Sequence, residues 1–214
     1  MLSTTPASQI TDQEWIRYFK SIGGIRNIKP AGIFSPDEKL KYLVRKGIPV
    51  AFRSAVWPRI SLSIVYRLQF PKDYYQKLLA RAESELSEEV RDDIEKDLQR
   101  YRRFTLGTPD FLLILFVFRT FPNHPDFVEG SSELERVLKA FAIHHVSIGY
   151  CQSLNFIVGA MLLFLSEEES FWLLLTLVDK LLPPDYYSRT MIGVNVDQLI
   201  LMQMVKLYLP NIFK

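Results

Sequence analysis

At 214 residues the chain fits one domain, or one domain with a short extension, and is long enough to bury a sizeable core. Its 26 basic and 24 acidic side chains leave a net charge of +2, too balanced for binding nucleic acid or acidic membranes by bulk electrostatics, so specificity has to come from individually placed residues. The composition, 48% hydrophobic and 23% charged, is that of a globular chain, and the single cysteine, Cys151, excludes an internal disulfide and fits a reducing compartment.

Taken in chain order, helix signals recur and strand signals are scarce. The N-terminal "MLSTTPASQI" lacks the charged-then-apolar pattern of a secretion signal. "TDQEWIRYFKSIGG" opens with Thr11 and Glu14 at capping-box spacing and closes on Gly23 and Gly24. "SPDEKLKYLVRKG" repeats the device, with Ser35 as cap, Pro36 at the first helical position, and a closing Gly47. Gly47, Ile48 and Pro49 then break one helix and start another. A charged helix carrying Ile94 is expected to stop at Arg100. Further caps are expected at Ser132 with Glu135 and at Ser166 with Glu169, and Leu134, Val137, Leu138 and Phe141 recur at helical spacing as one apolar stripe. Hairpin turns flanked by alternating apolar residues are absent. The expectation is an all-α, multi-helix fold.

The longest apolar runs, residues 111–118 and 156–165, are too short to span a bilayer, so a soluble protein is expected. No structural zinc is expected, because His124, His144 and His145 have no neighbouring cysteine or second motif at metal-ligand spacing.

Three segments depart from this generic pattern. In "RKGIPVAFRSAVWPRI", Arg53 and Trp57 fall four apart, on one helical face, where a guanidinium can lie along an indole. In "IEKDLQR", Ile94, Asp97 and Arg100 fall three apart, and an aspartate one turn before an arginine can aim it through a charge-assisted hydrogen bond. In "GYCQSLNFIVGAMLL", Tyr150, Gln152 and Asn155 are expected in the first turn of an otherwise apolar helix, facing a partner. Each has a plainer reading: core packing for Arg53 and Trp57, a solvated ion pair worth a few tenths of a kcal/mol for Asp97 and Arg100, and a capping or surface residue for Gln152.

Together and in this order the three segments resemble the TBC family of Rab GTPase-activating proteins, whose signatures look like R-x-x-x-W, I-x-x-D-x-x-R and Y-x-Q. "RKGIP", "RTFPNHPDF" and "YYSRTMIGVNVDQ" also look like family sequence, and the resemblance covers roughly residues 40–214. It implies an all-α TBC-type domain, with an N-terminal subdomain and the start of a C-terminal one, preceded by an extension (residues 1–40) of one or two helices. It also implies a GTPase activator rather than an enzyme. Arg100 and Gln152 would enter the nucleotide site of a GTP-bound Rab as arginine and glutamine fingers, with Arg119 as the alternative finger. Asp97 and Tyr150 would hold the fingers in place, and Ile94, Arg53 and Trp57 would support them. The protein would carry no cofactor of its own, GTP and magnesium being held by the partner. It would bind no nucleic acid, be cytoplasmic with at most peripheral recruitment to endomembranes, and regulate vesicle trafficking. The alternative is a catalytically inactive TBC-like binding module or a non-functional truncated splice form.

The sequence departs from the family pattern in three places. Ser153 stands where a glycine usually follows the finger glutamine, and the family usually continues beyond "LPNIFK" through further helices. The third departure is the largest. "IEKDLQR" usually runs straight into Thr-Phe-Pro, but here residues 101–119 intervene. Every residue from Phe111 to Phe118 has U at its middle codon position, as a translated pyrimidine tract would, and an arginine ends both the first piece and the insert. Two origins are open: a retained in-frame intron or gene-model error, and a true insertion serving as an apolar hook for a membrane surface or partner. Genomic and transcript sequence across this junction is expected to show GU and AG at the two boundaries; their absence eliminates the intron reading.

Overall fold

The computed structural model describes residues 7–28, 37–105, 131–188 and 190–212. Among these residues the regular structure is helical throughout, with no strand, and no helix is long and apolar enough to cross a membrane. The all-α expectation holds. We number the helices α1 (Ala7–Ser21), α2 (Glu38–Lys46), α3 (Val50–Ile60), α4 (Ser63–Arg67), α5 (Tyr74–Glu85), α6 (Glu88–Thr105), α7 (Ser131–His144), α8 (Leu154–Leu162), α9 (Glu167–Thr176) and α10 (Ile192–Tyr208).

The first three helices close a small apolar cluster of their own. Trp15, Tyr18 and Phe19 of α1 pack with Leu40 and Leu43 of α2 and Val56 of α3. Two polar contacts fix the angle between these helices. The Trp15 indole donates to the Gly47 carbonyl (3.0 Å), and the Tyr18 hydroxyl donates to Asp37. Asp37 also accepts from the backbone amides of Lys39 and Leu40, so it is the N-cap of α2. The sequence points to Ser35 instead, but Ser35 and Pro36 lie outside the described residues; the aspartate two positions later carries the cap. Gly47 ends α2 at φ 114°, a conformation that strains any residue with a Cβ.

The larger core is built around α7. Leu134, Val137, Leu138 and Phe141 are all fully buried, as their spacing predicts, and Ala140, Ala142 and Ile143 join them. The helix is apolar on more than one face because α5, α6, α8 and α9 all pack against it. It starts at Ser131, so Ser132 lies inside it rather than capping it, and Thr11 likewise lies inside α1, which starts at Ala7. No glycine or proline separates Ala7 from Thr11 or Ser131 from Ser132, so nothing in the sequence forces either helix to begin at the candidate cap. The box at Ser166 is real: the Ser166 amide and hydroxyl both donate to Glu169.

α6 also differs from its expected extent, since it continues past Arg100 to Thr105. Tyr-Arg-Arg-Phe-Thr holds no helix breaker, and the first glycine and proline come only at 107 and 109. The remainder of the insert, including Arg119, lies outside the described residues. At the other end of the chain α10 buries none of its residues and leaves Leu199, Leu201, Leu207 and Tyr208 exposed.

A carboxylate ties three core helices together. Glu167, at the start of α9, accepts two hydrogen bonds from Arg136 of α7 (2.9 and 2.6 Å) and one from the Tyr75 hydroxyl of α5 (2.6 Å). Partial burial pushes the Glu167 carboxyl up, but the bonds from Arg136 and Tyr75 and the charge of Arg136 outweigh it and hold the group below its ordinary 4.5. A carboxylate held down in the folded state stabilises above its unfolded value, and that contribution disappears as pH falls through the lower folded value. Glu167→Gln is therefore expected to cost about 1 kcal/mol at neutral pH, a charge-assisted pair discounted for the half-exposed Arg136. It is also expected to flatten the loss of stability below pH 4.5, measured by urea unfolding across the acid range.

Candidate functional site

The second and third sequence motifs meet in space. Asp97 projects from the inner face of α6, between Ile94 and Leu98, which are buried in the main core; its own exposure is only 6%. A carboxylate taken this far from water needs donors. One is Tyr150, whose hydroxyl donates to Asp97 Oδ2 at 2.8 Å. Burial, then this bond, then the aspartate's charge push the Tyr150 hydroxyl well above its ordinary range, so it stays protonated and keeps donating.

Tyr150 and Gln152 do not lie in the first turn of a helix, as the sequence suggests. They occupy the turn between α7 and α8, and α8 starts at Leu154. The backbone explains the displacement. Gly149 has φ 63° and Ser153 has φ 88°, so left-handed residues bracket the segment and keep it out of both helices. Asn155 differs too: it is 2% exposed and points into the core rather than toward a partner. Gln152 is exposed, and its carbonyl accepts from the Cys151 thiol at 3.5 Å. Burial pushes that thiol above its ordinary 9.0, which argues against a nucleophilic role at neutral pH.

Gly149 is a positioning residue that sequence reasoning overlooked. A Cβ there would lie 3.2 Å from Val90 Cγ2 on α6, so the turn approaches that helix closely, in a conformation that favours glycine. The signal was present as the glycine immediately before the motif tyrosine. Together, the Gly149 approach and the Tyr150–Asp97 bond fasten the turn that carries Gln152 to the helix that carries residue 100. Residue 100 is one helical turn, about 4.5 Å of rise, beyond Asp97. The side chain of Arg100 lies outside the described residues, as does all of Arg119.

The first motif lies at another junction. Arg53 Nε donates to the Ile48 carbonyl (3.0 Å), which closes the turn into α3. Its guanidinium sits 6.0 Å from the Trp57 ring and 4.8 Å from that of Phe164, just beyond α8, and the two rings meet edge to face at 5.0 Å. Burial lowers the Arg53 pKa without discharging the group at any physiological pH. Arg53 and Trp57 thus join the N-terminal cluster to the α8 end of the main core.

Among the described residues the frame is all-helical, and in it a turn tyrosine clamps a buried helix aspartate, with a glutamine two residues on. Residues 117–214, which include Tyr150 and Gln152, match the Rab-GTPase-TBC domain family model. The chain is 37% identical over 186 residues to TBC1 domain family member 2A of Ailuropoda melanoleuca, covering 85% of this chain and 18% of that protein. It is 34% identical over 200 residues to the GTPase-activating protein GYP3 of Saccharomyces cerevisiae, covering 86% and 28%. With TBC1 domain family member 2B of Mus musculus it shares 33% over 208 residues, covering 94% and 19%. The fold is similar to the crystal structure of the Chlamydomonas flagellar RabGAP TBC domain, with a TM-score of 0.62 and 27% identity, covering 97% of this chain and 63% of that one. The chain belongs to the TBC-domain family. It spans less than a third of the length of these curated relatives.

The two left-handed positions in the turn generate a prediction of opposite signs. Gly149→Ala forces a Cβ into both a strained backbone and the Val90 contact, and is expected to cost at least about 1–2 kcal/mol. Ser153→Gly removes a similar strain but adds about 0.5–1 kcal/mol of unfolded-state entropy, so it is expected to be neutral or stabilising. Urea unfolding of both variants checks the pair.

Proposed function

We propose that this chain accelerates GTP hydrolysis on a Rab-family small GTPase by supplying Arg100 and Gln152 in trans. The supporting observation is the Tyr150–Asp97 bond, which couples the segments bearing the two residues. Family membership and the GTPase-activating title of the yeast relative favour the same reading.

The chemistry follows from charge and position. Phosphoryl transfer spreads negative charge over the oxygens of the transferred group, and a guanidinium delivered there stabilises the transition state more than the ground state. A fixed amide can orient the attacking water by donating with its nitrogen and accepting with its oxygen. The activator performs no hydrolysis itself; GTP and magnesium belong to the GTPase. Asp97 and Tyr150 act in this account as positioning residues, Ile94 anchors α6 in the core, and Arg53 with Trp57 braces the frame. Acting on GTP-bound Rabs, the protein would regulate vesicle trafficking as a cytosolic factor recruited transiently to endomembranes. On this reading residues 1–40 form an extension and residues 41–214 belong to the TBC domain, interrupted at 101–119.

A second reading, a TBC-like module that binds without accelerating hydrolysis, draws on two observations. Ser153 occupies left-handed backbone beside Gln152, and α6 runs on to Thr105 instead of passing directly to Thr120. Displacing a finger by 1 Å costs about 10²-fold in rate.

The test is single-turnover hydrolysis across a panel of GTP-loaded Rabs, with this chain and with a version lacking residues 101–119. At least one Rab is expected to be accelerated. Arg100→Ala is expected to remove roughly 10³-fold or more of that acceleration, the scale of an arginine finger, with Gln152→Ala similarly severe and Arg119→Ala mild. Acceleration that survives both Arg100→Ala and Gln152→Ala contradicts the finger assignment. Binding without acceleration by either version supports the second reading.

A further inference from the structure

The mechanism leaves one cluster of chemically capable side chains unused. His144 and His145, at the C-terminal end of α7, meet Asp179, which lies in the π-helical stretch Leu177–Leu181 after α9. All three side chains are largely buried, at 14%, 18% and 16% exposure. One ring nitrogen from each histidine and one carboxylate oxygen lie within 4.8 Å of one another. Sequence spacing gave no hint of this, because the third member comes from a different helix.

Two arrangements can account for such a cluster: a self-contained hydrogen-bond network, or a cation site. The distances are compatible with the second, with modest adjustment of the side chains. A tetrahedral zinc ion with bonds of about 2.0–2.1 Å separates its donor atoms by roughly 3.3 Å. His145 Nε2 lies 2.8 Å from Asp179 Oδ1, and His144 Nε2 lies 3.9 Å from Asp179 Oδ2, on either side of that spacing. His145 Nε2 is sealed from solvent, and its 2.8 Å contact with the Asp179 carboxylate serves as an ion pair or hydrogen bond when no metal is bound. A cation bound by both side chains would replace that contact.

The supporting contacts are also in place. The Tyr74 hydroxyl lies 2.8 Å from His144 Nδ1, which leaves Nε2 to face the cluster, and the Tyr66 hydroxyl donates to Asp179 Oδ2 at 2.7 Å. Ligands oriented from behind in this way are typical of protein metal sites, and π-helical turns frequently coincide with functional sites. A cavity of about 340 Å³, lined by His145, Asp179, Asp185 and Tyr187 among others, adjoins the cluster. Two imidazoles and one carboxylate suit zinc rather than magnesium or calcium, which prefer all-oxygen shells.

We propose that His144, His145 and Asp179 bind a zinc-class divalent cation that joins the end of α7 to the segment following α9. The proposal is independent of GTPase activation. The experiment is titration of the chelator-stripped full chain, free of any affinity tag, with Zn²⁺ against a chromophoric competitor and with Co²⁺ followed by visible absorption. A single saturable equivalent is expected, with the intense d–d bands of a four-coordinate Co²⁺ site. His145→Ala and Asp179→Asn are each expected to weaken Zn²⁺ binding by more than the roughly 10- to 100-fold that loss of an outer partner costs; Tyr74→Phe is expected to fall within that range. His124→Gln, at the chain's remaining histidine, is expected to change nothing. Absence of saturable binding overturns the proposal, as does affinity that survives His145→Ala and Asp179→Asn or falls equally with His124→Gln. If those two variants do not fold, the Co²⁺ spectrum of the unaltered chain and the Tyr74→Phe affinity decide: weak octahedral bands or an unchanged affinity overturn it.

Discussion

A buried carboxylate demands a donor, and at Asp97 that demand organises the site. α6 carries Asp97 into the core alongside Ile94 and Leu98, where an unsatisfied charge would cost several kcal/mol. Tyr150 supplies a donor from a turn more than fifty residues away along the chain. Because burial and the carboxylate both keep the tyrosine protonated, the bond persists across the physiological pH range. The turn cannot drift from the helix without breaking this buried bond, so it helps, with apolar packing, to hold together the segments bearing residue 100 and Gln152.

The rest of the fold supplies the frame for this contact. α7 is buried on several sides and meets α5, α6, α8 and α9, while the Glu167 bonds to Arg136 and Tyr75 lock three of these helices in relative position. Gly149 lets the turn that follows α7 run close to α6, and the Arg53, Trp57 and Phe164 contacts fasten the N-terminal helices to the same body. Left-handed backbone at both ends of a short turn is the kind of strain that packing elsewhere must sustain, and Gln152 is presented outward from it.

Helical class and the inward face of α7 were legible because they rest on local periodicity: Leu134, Val137, Leu138 and Phe141 need only their own spacing to declare a face. Cap positions were less legible. Serines and threonines at suitable spacing are common, and Asp37 could take the α2 cap because its carboxylate reaches two amides. The extent of α6 was missed because the helix was expected to stop at Arg100, where the insert begins, while the local residues favour helix as far as Thr105. At the site, the resemblance singled out Asp97 and Tyr150 as supports, but their direct bond is a long-range fact that no spacing rule encodes. The same limit hid the cluster of His144, His145 and Asp179, and the helical reading of "GYCQSLN" failed because left-handed residues override apolar periodicity.

The claim on which the account depends is that Tyr150 and Asp97 are energetically coupled, and a double-mutant cycle measures this directly. Unfolding free energies of the unaltered chain, Tyr150→Phe, Asp97→Asn and the double variant give the pairwise energy free of each residue's other contacts. The account predicts a coupling of roughly 1–3 kcal/mol, the range for a buried hydrogen bond to a charged group. Additivity within about 0.3–0.5 kcal/mol would mean that the two segments are not held together by this bond.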